Sequence, residues 1–144
     1  MAKAPAAGFT LIEVMVALAI VAITTTIAAS SYRNHVRRSH RLQAVQALLV
    51  AAAEQEKFYL ANGRYGERLD GASGADPPAL PVASRTPGGH YRLSIPLADA
   101  AGYRVVATAA DGGADPLCET LSIDESGRRT AIDGRGADST GRCW

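Results

Sequence analysis

Residues 9–29 read FTLIEVMVALAIVAITTTIAA and form the most apolar stretch of this 144-residue chain. A helix of this length spans about 30 Å, the thickness of the hydrocarbon core of a bilayer. Glu13 lies inside the stretch, where an ionised carboxylate is costly and usually functional. The stretch therefore predicts a membrane-spanning helix that carries one acidic residue near its beginning.

An ordinary signal peptide or membrane anchor explains this segment less well. The preceding residues, MAKAPAAG, form a very short leader, and the apolar run begins directly after Gly8. A signal peptide instead ends its apolar region at a small-residue cleavage site. The apolar run that begins directly after a short leader, together with Glu13, favours a more specialised N-terminal helix.

The string GFTLIEVM, residues 8–15, resembles the processing motif of type IV pilins and of type II secretion pseudopilins. In that family a membrane prepilin peptidase cuts after the glycine and methylates the new amino terminus. The resemblance implies cleavage between Gly8 and Phe9 and N-methylation of Phe9. It also implies that Glu13 pairs with the amino terminus of a subunit during filament assembly.

The distribution of basic residues conflicts with the orientation that this family implies. Only Lys3 precedes the apolar stretch, whereas Arg33, Arg37, Arg38 and Arg41 follow it. The positive-inside rule alone would leave the C-terminal part in the cytoplasm. The motif and the paired cysteines favour the opposite orientation, with a single-pass precursor in the bacterial inner membrane, a periplasmic head and later a filament at the cell surface.

The basic stretch after the apolar segment has two interpretations. It contains the arginines above together with His35 and His40. Contact with the headgroups of inner-membrane lipids on a solvated helix face is favoured. Nucleic-acid contact is the alternative.

Helical periodicity continues well past the apolar segment. No Pro or Gly interrupts residues 31–60, and Asn62-Gly63 is typical of a helix C-cap. The pattern predicts one helix from about Phe9 to about Ala61. Many type IV pilins carry a Gly and a Pro where this chain has Ala22 and Ser30, which leaves open whether the helix melts in a filament. The predicted apolar stripe consists of Leu42, Val45, Leu48, Leu49, Ala52 and Tyr59.

The rest of the chain predicts a loop followed by an antiparallel sheet. Residues 63–89 are rich in Gly, Pro, Ser and Asp, including Asp76-Pro77-Pro78. Alternating patterns at 91–97, 103–109 and 121–123, and a short segment at 129–132, predict about four strands. We expect an α+β type IV pilin fold, with the sheet on the helical stripe.

This organisation divides the chain into five parts. Residues 1–8 are the expected leader, 9–29 the membrane and filament-core helix, and 30–62 its amphipathic continuation. Residues 63–89 connect to a head at 90–144.

Both cysteines, Cys118 and Cys143, lie near the C-terminus. Beside a membrane-targeting segment they predict one disulfide in an oxidising compartment. In type IV pilins such a bridge bounds a C-terminal loop that is exposed on the filament. Trp144 is expected to pack against the sheet; an exposed contact is the alternative.

The sequence predicts no enzyme, metal site or cofactor. Charge is balanced, with 15 basic and 14 acidic residues, and no catalytic constellation is recognisable. His35, His40 and His90 lack metal-ligand spacing, and Gly112-Gly113 is a turn rather than a phosphate loop. A calcium site is conceivable, as in some pseudopilins, but solvated turns are favoured for the loop acids Asp111, Asp115, Asp124 and Glu125.

Three further segments, residues 53–65, 118–124 and 143–144, are similar to PilE-type minor pilins. The similarity implies a structural, minor subunit of a type IV pilus, with roles in pilus biogenesis, twitching motility, adhesion or DNA uptake. Implied partners are other pilin subunits, prepilin peptidase, the inner-membrane assembly platform and membrane lipids. The alternative is a type II secretion pseudopilin.

A DNA-uptake pilin is a third hypothesis. Residues 118–144 contain four Arg and five acidic residues, a net charge of −1. Nucleic acid is therefore a possible partner that the C-terminal loop does not favour.

Overall fold

The computed structural model describes residues 8–71, 78–110 and 115–144, and for residues 27–30 it describes the backbone alone. The predicted turn at Gly112-Gly113 and most of the Asp76-Pro77-Pro78 segment lie outside these ranges. The chain divides into two compact units, Met1–Val36 and Arg37–Trp144. The first unit is the N-terminal part of helix α1, and the second is the head.

Helix α1 runs from Leu11 to Asn62, close to the predicted limits. An 18-residue window near its N-terminus has a mean hydropathy of 2.3, so this part is long and apolar enough to cross a membrane. The helix ends as Asn62-Gly63 predicts. Gly63 has φ +66°, and its N–H donates to the carbonyl of Tyr59 at 2.8 Å.

The head contains one antiparallel sheet of four strands in the order β1-β2-β3-β4. The strands are β1 (Tyr91–Ala98), β2 (Tyr103–Ala109), β3 (Thr120–Asp124) and β4 (Arg129–Ile132). Each of the three neighbouring pairs is antiparallel, as the alternating patterns predict. A short helix, α2 (Thr140–Cys143), follows β4 and was not predicted.

Alternation along the strands separates a buried face from an exposed face. In β2, Tyr103, Val105, Ala107 and Ala109 are buried, and the intervening residues are partly or fully exposed. The buried side chains join residues of α1 in one core, which confirms that the sheet lies on the helix.

The helix presents a different stripe from the predicted one. Its buried line is Ala44, Leu48, Ala51 and Gln55, spaced by fours and threes. Of the predicted stripe, Leu48 is fully buried and Val45 and Ala52 are partly buried against the core, whereas Leu42, Leu49 and Tyr59 are 55%, 40% and 37% exposed. Positions 42 and 49 lie on one flank of the helix, about 100–120° around its axis from Leu48. Ala44 and Ala51 are as completely buried as Leu48, so the size of an apolar side chain does not by itself mark the buried face.

Both edges of the sheet are protected. Residues 84–86 pair with the first half of β1, and Pro96 within β1 removes a backbone donor further along that edge. At β4, the N–H of Ser139 donates to the carbonyl of Ala131 at 2.9 Å. The predicted strands are thus confirmed, together with edge coverings that their sequence pattern does not reveal.

Candidate functional site

The N-terminal end of α1 places the predicted assembly residues on one surface. Phe9 is 83% exposed. Phe9 and Glu13 line a shallow, mainly apolar face of the helix together with Val14, Ala17, Leu18 and Val21. The spacing of four residues between Phe9 and Glu13 puts them on the same side of the helix.

Glu13 also occupies a position with an ordinary structural role. Its N–H lies 3.1 Å from the carbonyl and 3.4 Å from the hydroxyl oxygen of Thr10, the residue that precedes the helix. Thr10-Leu11-Ile12-Glu13 therefore has the sequence of a capping box. A carboxylate in the first turn is also favoured by the helix dipole. Helix capping and charge pairing between subunits are separable roles of this side chain.

The threonines of the apolar stretch satisfy their hydroxyl groups within the helix. Thr24, Thr25 and Thr26 donate to carbonyls at Ile20, Val21 and Ile23, at 2.7–2.9 Å. Such bonds make hydroxyl groups compatible with an apolar environment. The helix is continuous at Ala22 and through residue 30.

In the head, Arg41 and Asp115 form a bidentate ion pair that joins α1 to the segment before the disulfide. Arg41 Nε lies 3.0 Å from Asp115 Oδ2, and Arg41 Nη2 lies 3.1 Å from Oδ1. The side chains are 16% and 5% exposed. Arg41 Nη1 also donates to the carbonyl of Arg142 at 3.1 Å. Arg41 therefore binds two segments of the chain, one shortly before Cys118 and one directly before Cys143.

Tyr91 completes this cluster from the beginning of β1. Its hydroxyl donates to the carbonyl of Cys118 at 2.8 Å and lies 3.2 Å from Asp115 Oδ2. Burial, and then the negative charge of Asp115, raise the pKa of Tyr91 well above its usual range. The phenol stays protonated, so it remains a hydrogen-bond donor to the disulfide segment.

His40 and His90 stack beside this cluster. Their ring centroids are 3.5 Å apart and the rings are inclined by 11°. Burial lowers the pKa of His40, the nearby His90 lowers it further, and Asp115 opposes the shift. The stack therefore favours neutral imidazole at His40.

These contacts correct two predictions. Arg41 and His40 do not belong to a solvated basic face, because both pack against the head; Arg33, Arg37, Arg38 and His35 are exposed as predicted. Asp115 is a buried ion-pair partner rather than a solvated loop acid. Asp124 does form a turn, accepting from the N–H of Ser126 and of Arg128, whereas Asp111 lies outside the described residues.

The predicted disulfide joins Cys118 to Cys143. Trp144 packs against the head, as expected, and its indole N–H donates to the carbonyl of Thr130 at 2.9 Å. The guanidinium of Arg129 lies 5.4 Å from the centre of the indole ring. Thr140 Oγ1 accepts from the N–H of Ala131 at 2.9 Å, so the C-terminal segment covers the free edge of β4.

The part of the head that the structure describes shows no arrangement of side chains typical of catalysis. Among the described residues, no group of three or more His, Cys, Asp or Glu side chains could hold a metal ion. The Arg41–Asp115–Tyr91 cluster is largely buried, and its polar atoms bond to one another. Its geometry suits a structural clamp.

Comparison with family models identifies two matches. Residues 30–122 match the model described as type IV minor pilin ComP, DNA uptake sequence receptor. Residues 3–29 match the model of the prokaryotic N-terminal methylation motif. Together the two matches extend over the predicted membrane helix and most of the head.

Similar individual proteins agree with this assignment. Two type IV major pilin proteins PilE1 of Neisseria gonorrhoeae are each 35% identical over 75 residues, which is 50% of this chain and 44% or 40% of the relative. The chain thus spans less than half the length of these relatives.

A solved type IV pilin from Shewanella oneidensis is 27% identical and superimposes with a TM-score of 0.50 over 75% of this chain and 97% of that one. The match to the ComP model covers well over half of the chain, and this neighbour has the same fold. The chain therefore belongs to the family of type IV minor pilins typified by ComP.

Proposed function

We propose that the chain is a minor subunit of a type IV pilus that binds double-stranded DNA at the filament surface. The type IV pilins are structural proteins, and membership of that family makes this chain a pilin subunit. The single observation that carries the DNA part is the match of residues 30–122 to the model described as a DNA uptake sequence receptor.

Processing is the first step of the proposal. Prepilin peptidase cleaves between Gly8 and Phe9, and the new amino terminus of Phe9 is methylated. The match to the N-terminal methylation motif over residues 3–29 supports this step. The head then lies in the periplasm while α1 holds the precursor in the inner membrane, and the assembly platform adds the subunit to a filament of other pilins.

Charge pairing guides that addition. Cleavage creates a cationic amine at Phe9, and Glu13 supplies a carboxylate at the same end of the helix. Opposite charges attract strongly in an apolar filament core, and an unpaired charge there is costly. The exposed apolar face that contains both residues supports the proposal.

The family match supports DNA binding more strongly than the charge count of the C-terminal loop does. That loop has a net charge of −1, but several of its acids are engaged locally. Asp133 accepts from the N–H of Arg135 and of Ala137, and Asp138 accepts from Thr140. For binding to phosphate groups, the exposed arginines therefore matter more than the net charge of the loop.

The test measures binding of the detergent-solubilised full-length chain to a fluorescent DNA duplex by anisotropy. A DNA receptor is expected to bind more tightly than the roughly 10⁻⁴–10⁻⁶ M typical of non-specific binding at physiological salt. A major pilin in the same detergent is the control. Failure to bind any duplex, even at low salt, would refute the receptor role and leave the assignment as a pilin intact.

A further inference from the structure

The exposed face of the sheet carries two arginines side by side at the β1 edge. Arg85 and Arg92 are direct partners in an antiparallel bridge. Flanking backbone bonds fix this register: the N–H of Leu93 donates to Ser84 at 2.8 Å, and the N–H of Thr86 donates to Tyr91 at 3.0 Å. Directly opposed residues of an antiparallel pair lie on the same face, about 4.5–5.5 Å apart at Cα.

The local turn holds the two arginines together. Gly88 and Gly89 have φ +84° and +76°, which reverses the chain between residues 86 and 91. Because Tyr91 and Leu93 are buried, Arg92 between them faces outward, and its partner Arg85 does the same. Both arginines are exposed.

No described acid neutralises this pair. Among residues 8–71, 78–110 and 115–144, neither arginine forms an ion pair. Across the sheet, the row that contains Arg92 continues through Thr108 and Thr120, both neutral hydroxyl residues. Like charges directly opposed across a strand pair destabilise a sheet, so the fold gains nothing from this arrangement.

A ligand with closely spaced negative charges would offset the repulsion between Arg85 and Arg92, because both arginines would attract it. Guanidinium groups match phosphate oxygens in geometry, and the hydroxyl row beside them offers further donors. Phosphate contacts of this kind fix the position of a duplex without reading its sequence. Two exposed arginines on the face of a sheet suit contact with the outside of a duplex rather than insertion into a groove.

We propose that Arg85 and Arg92 bind phosphates of the DNA backbone on the exposed face of the sheet. This inference rests on the proposed function, because it takes DNA as the ligand. Part of the affinity for DNA then comes from the β1 edge, and not all of it from the C-terminal disulfide loop.

The test compares salt dependence of DNA binding between the full-length chain and the variant Arg85→Gln/Arg92→Gln. Loss of two phosphate contacts should reduce the slope of log affinity against log salt by about 1.8. Between 50 and 200 mM salt, the wild-type chain should therefore lose about 12-fold more affinity than the variant. The loss should be equal for duplexes of different sequence, and Arg85→Lys/Arg92→Lys should retain the wild-type slope.

Two control variants remove the same net charge elsewhere. Arg64→Gln/Arg68→Gln alters the loop after α1 and should leave the slope unchanged. Arg135→Gln/Arg142→Gln alters the C-terminal loop. If this variant reduces the slope and Arg85→Gln/Arg92→Gln does not, the phosphates bind the C-terminal loop and the inference is overturned.

The remaining outcomes are also distinguishable. The melting temperature of Arg85→Gln/Arg92→Gln should be unchanged or slightly higher, because a repulsive pair is removed. A lower melting temperature would assign the arginines a structural role. A wild-type chain that binds no DNA overturns both this inference and the proposed receptor function, whereas binding that is insensitive to the variant overturns this inference alone.

Discussion

At the scale of single residues, Glu13 combines two roles that one substitution can separate. Glutamine at the same position keeps the hydrogen-bonding capacity that a capping box needs but removes the charge. If charge pairing with the Phe9 amine guides assembly, Glu13→Gln should enter filaments as poorly as Glu13→Ala, while Glu13→Asp should be intermediate. The measurement compares cleaved membrane-bound protein with protein in sheared filaments.

A processing variant provides the control for this experiment. Gly8→Val should leave the uncleaved precursor in the membrane, because the peptidase must accept a very small side chain at the cut, whereas each Glu13 variant should still be cleaved. Intact-mass measurement separates the two forms. Wild-type filament incorporation of Glu13→Gln with poor incorporation of Glu13→Ala would assign the residue to capping.

Arg41 is the second residue whose substitution should have a large effect. Arg41→Gln leaves the Asp115 carboxylate buried without its cation, and breaking a buried ion pair costs about 3 kcal/mol or more. Arg38→Gln, at an exposed position, should change the free energy of unfolding by less than about 0.5 kcal/mol. Because Trp144 is the one tryptophan of the chain, its fluorescence reports unfolding of the head directly. Equal stability of the two variants would contradict the clamp.

The sequence alone identifies Glu13 as a functional candidate but does not identify the role of Arg41. Glu13 could be singled out because a charge inside an apolar run is conspicuous and its spacing to Gly8 is local. Arg41 and Asp115 are 74 positions apart, and neither is unusual in its own segment. Only the tertiary fold brings Arg41 and Asp115 together, so no local pattern in the sequence could identify the pair.

At the scale of elements, the disulfide and the C-terminal segment should stabilise the head as one unit. Replacing both cysteines by serine should lower the free energy of unfolding by about 3 to 4 kcal/mol, since the bridge closes a loop between positions 25 residues apart. Urea unfolding under non-reducing conditions measures the loss. A reducing agent should reproduce it in the wild-type head and leave Cys118→Ser/Cys143→Ser unchanged; insensitivity of the wild-type head would show that the bridge contributes little.

Strands were easier to predict than helix faces in this chain. In β2 burial follows the period of two throughout, and in β1 it does so as far as Ile95; the register then shifts between Ser94 and Leu97, and Leu97 is 51% exposed. Along α1, large apolar residues cover a broad arc, with Leu42 and Leu49 about 100–120° around the helix from Leu48, so periodicity alone could not decide which part of the arc meets the sheet. Close packing settled the question in favour of Ala44 and Ala51.

At the scale of the whole molecule, the stability of the head should depend on pH through His40. Its pKa is lowered in the folded state, so the unfolded chain binds protons at a higher pH than the folded chain does. The resulting stability is present above the unfolded pKa of about 6.5 and is lost as pH falls toward the folded pKa. The melting temperature should therefore be lower near pH 5 than near pH 7.5.

Two variants test the assignment to this histidine. His40→Gln should reduce the difference in melting temperature between the two pH values, because it removes the titrating group and leaves Arg41 and Asp115 in place. His35→Gln, at an exposed position, should retain the full difference. If His40→Gln shows the wild-type pH dependence, another group is responsible.

Coverage of both sheet edges has a consequence for how this protein self-associates. Strand edges that are open can recruit further strands and lead to irreversible aggregates, a hazard for any protein that is concentrated with copies of itself. Here Pro96 and the 84–86 segment protect one edge, and the hydrogen bonds that Ser139, Thr140 and Trp144 form with β4 leave little room for a foreign strand at the other. We therefore expect the heads to stay folded when they are concentrated and to separate again without refolding. Reuse of the subunits after a filament is taken apart requires this property.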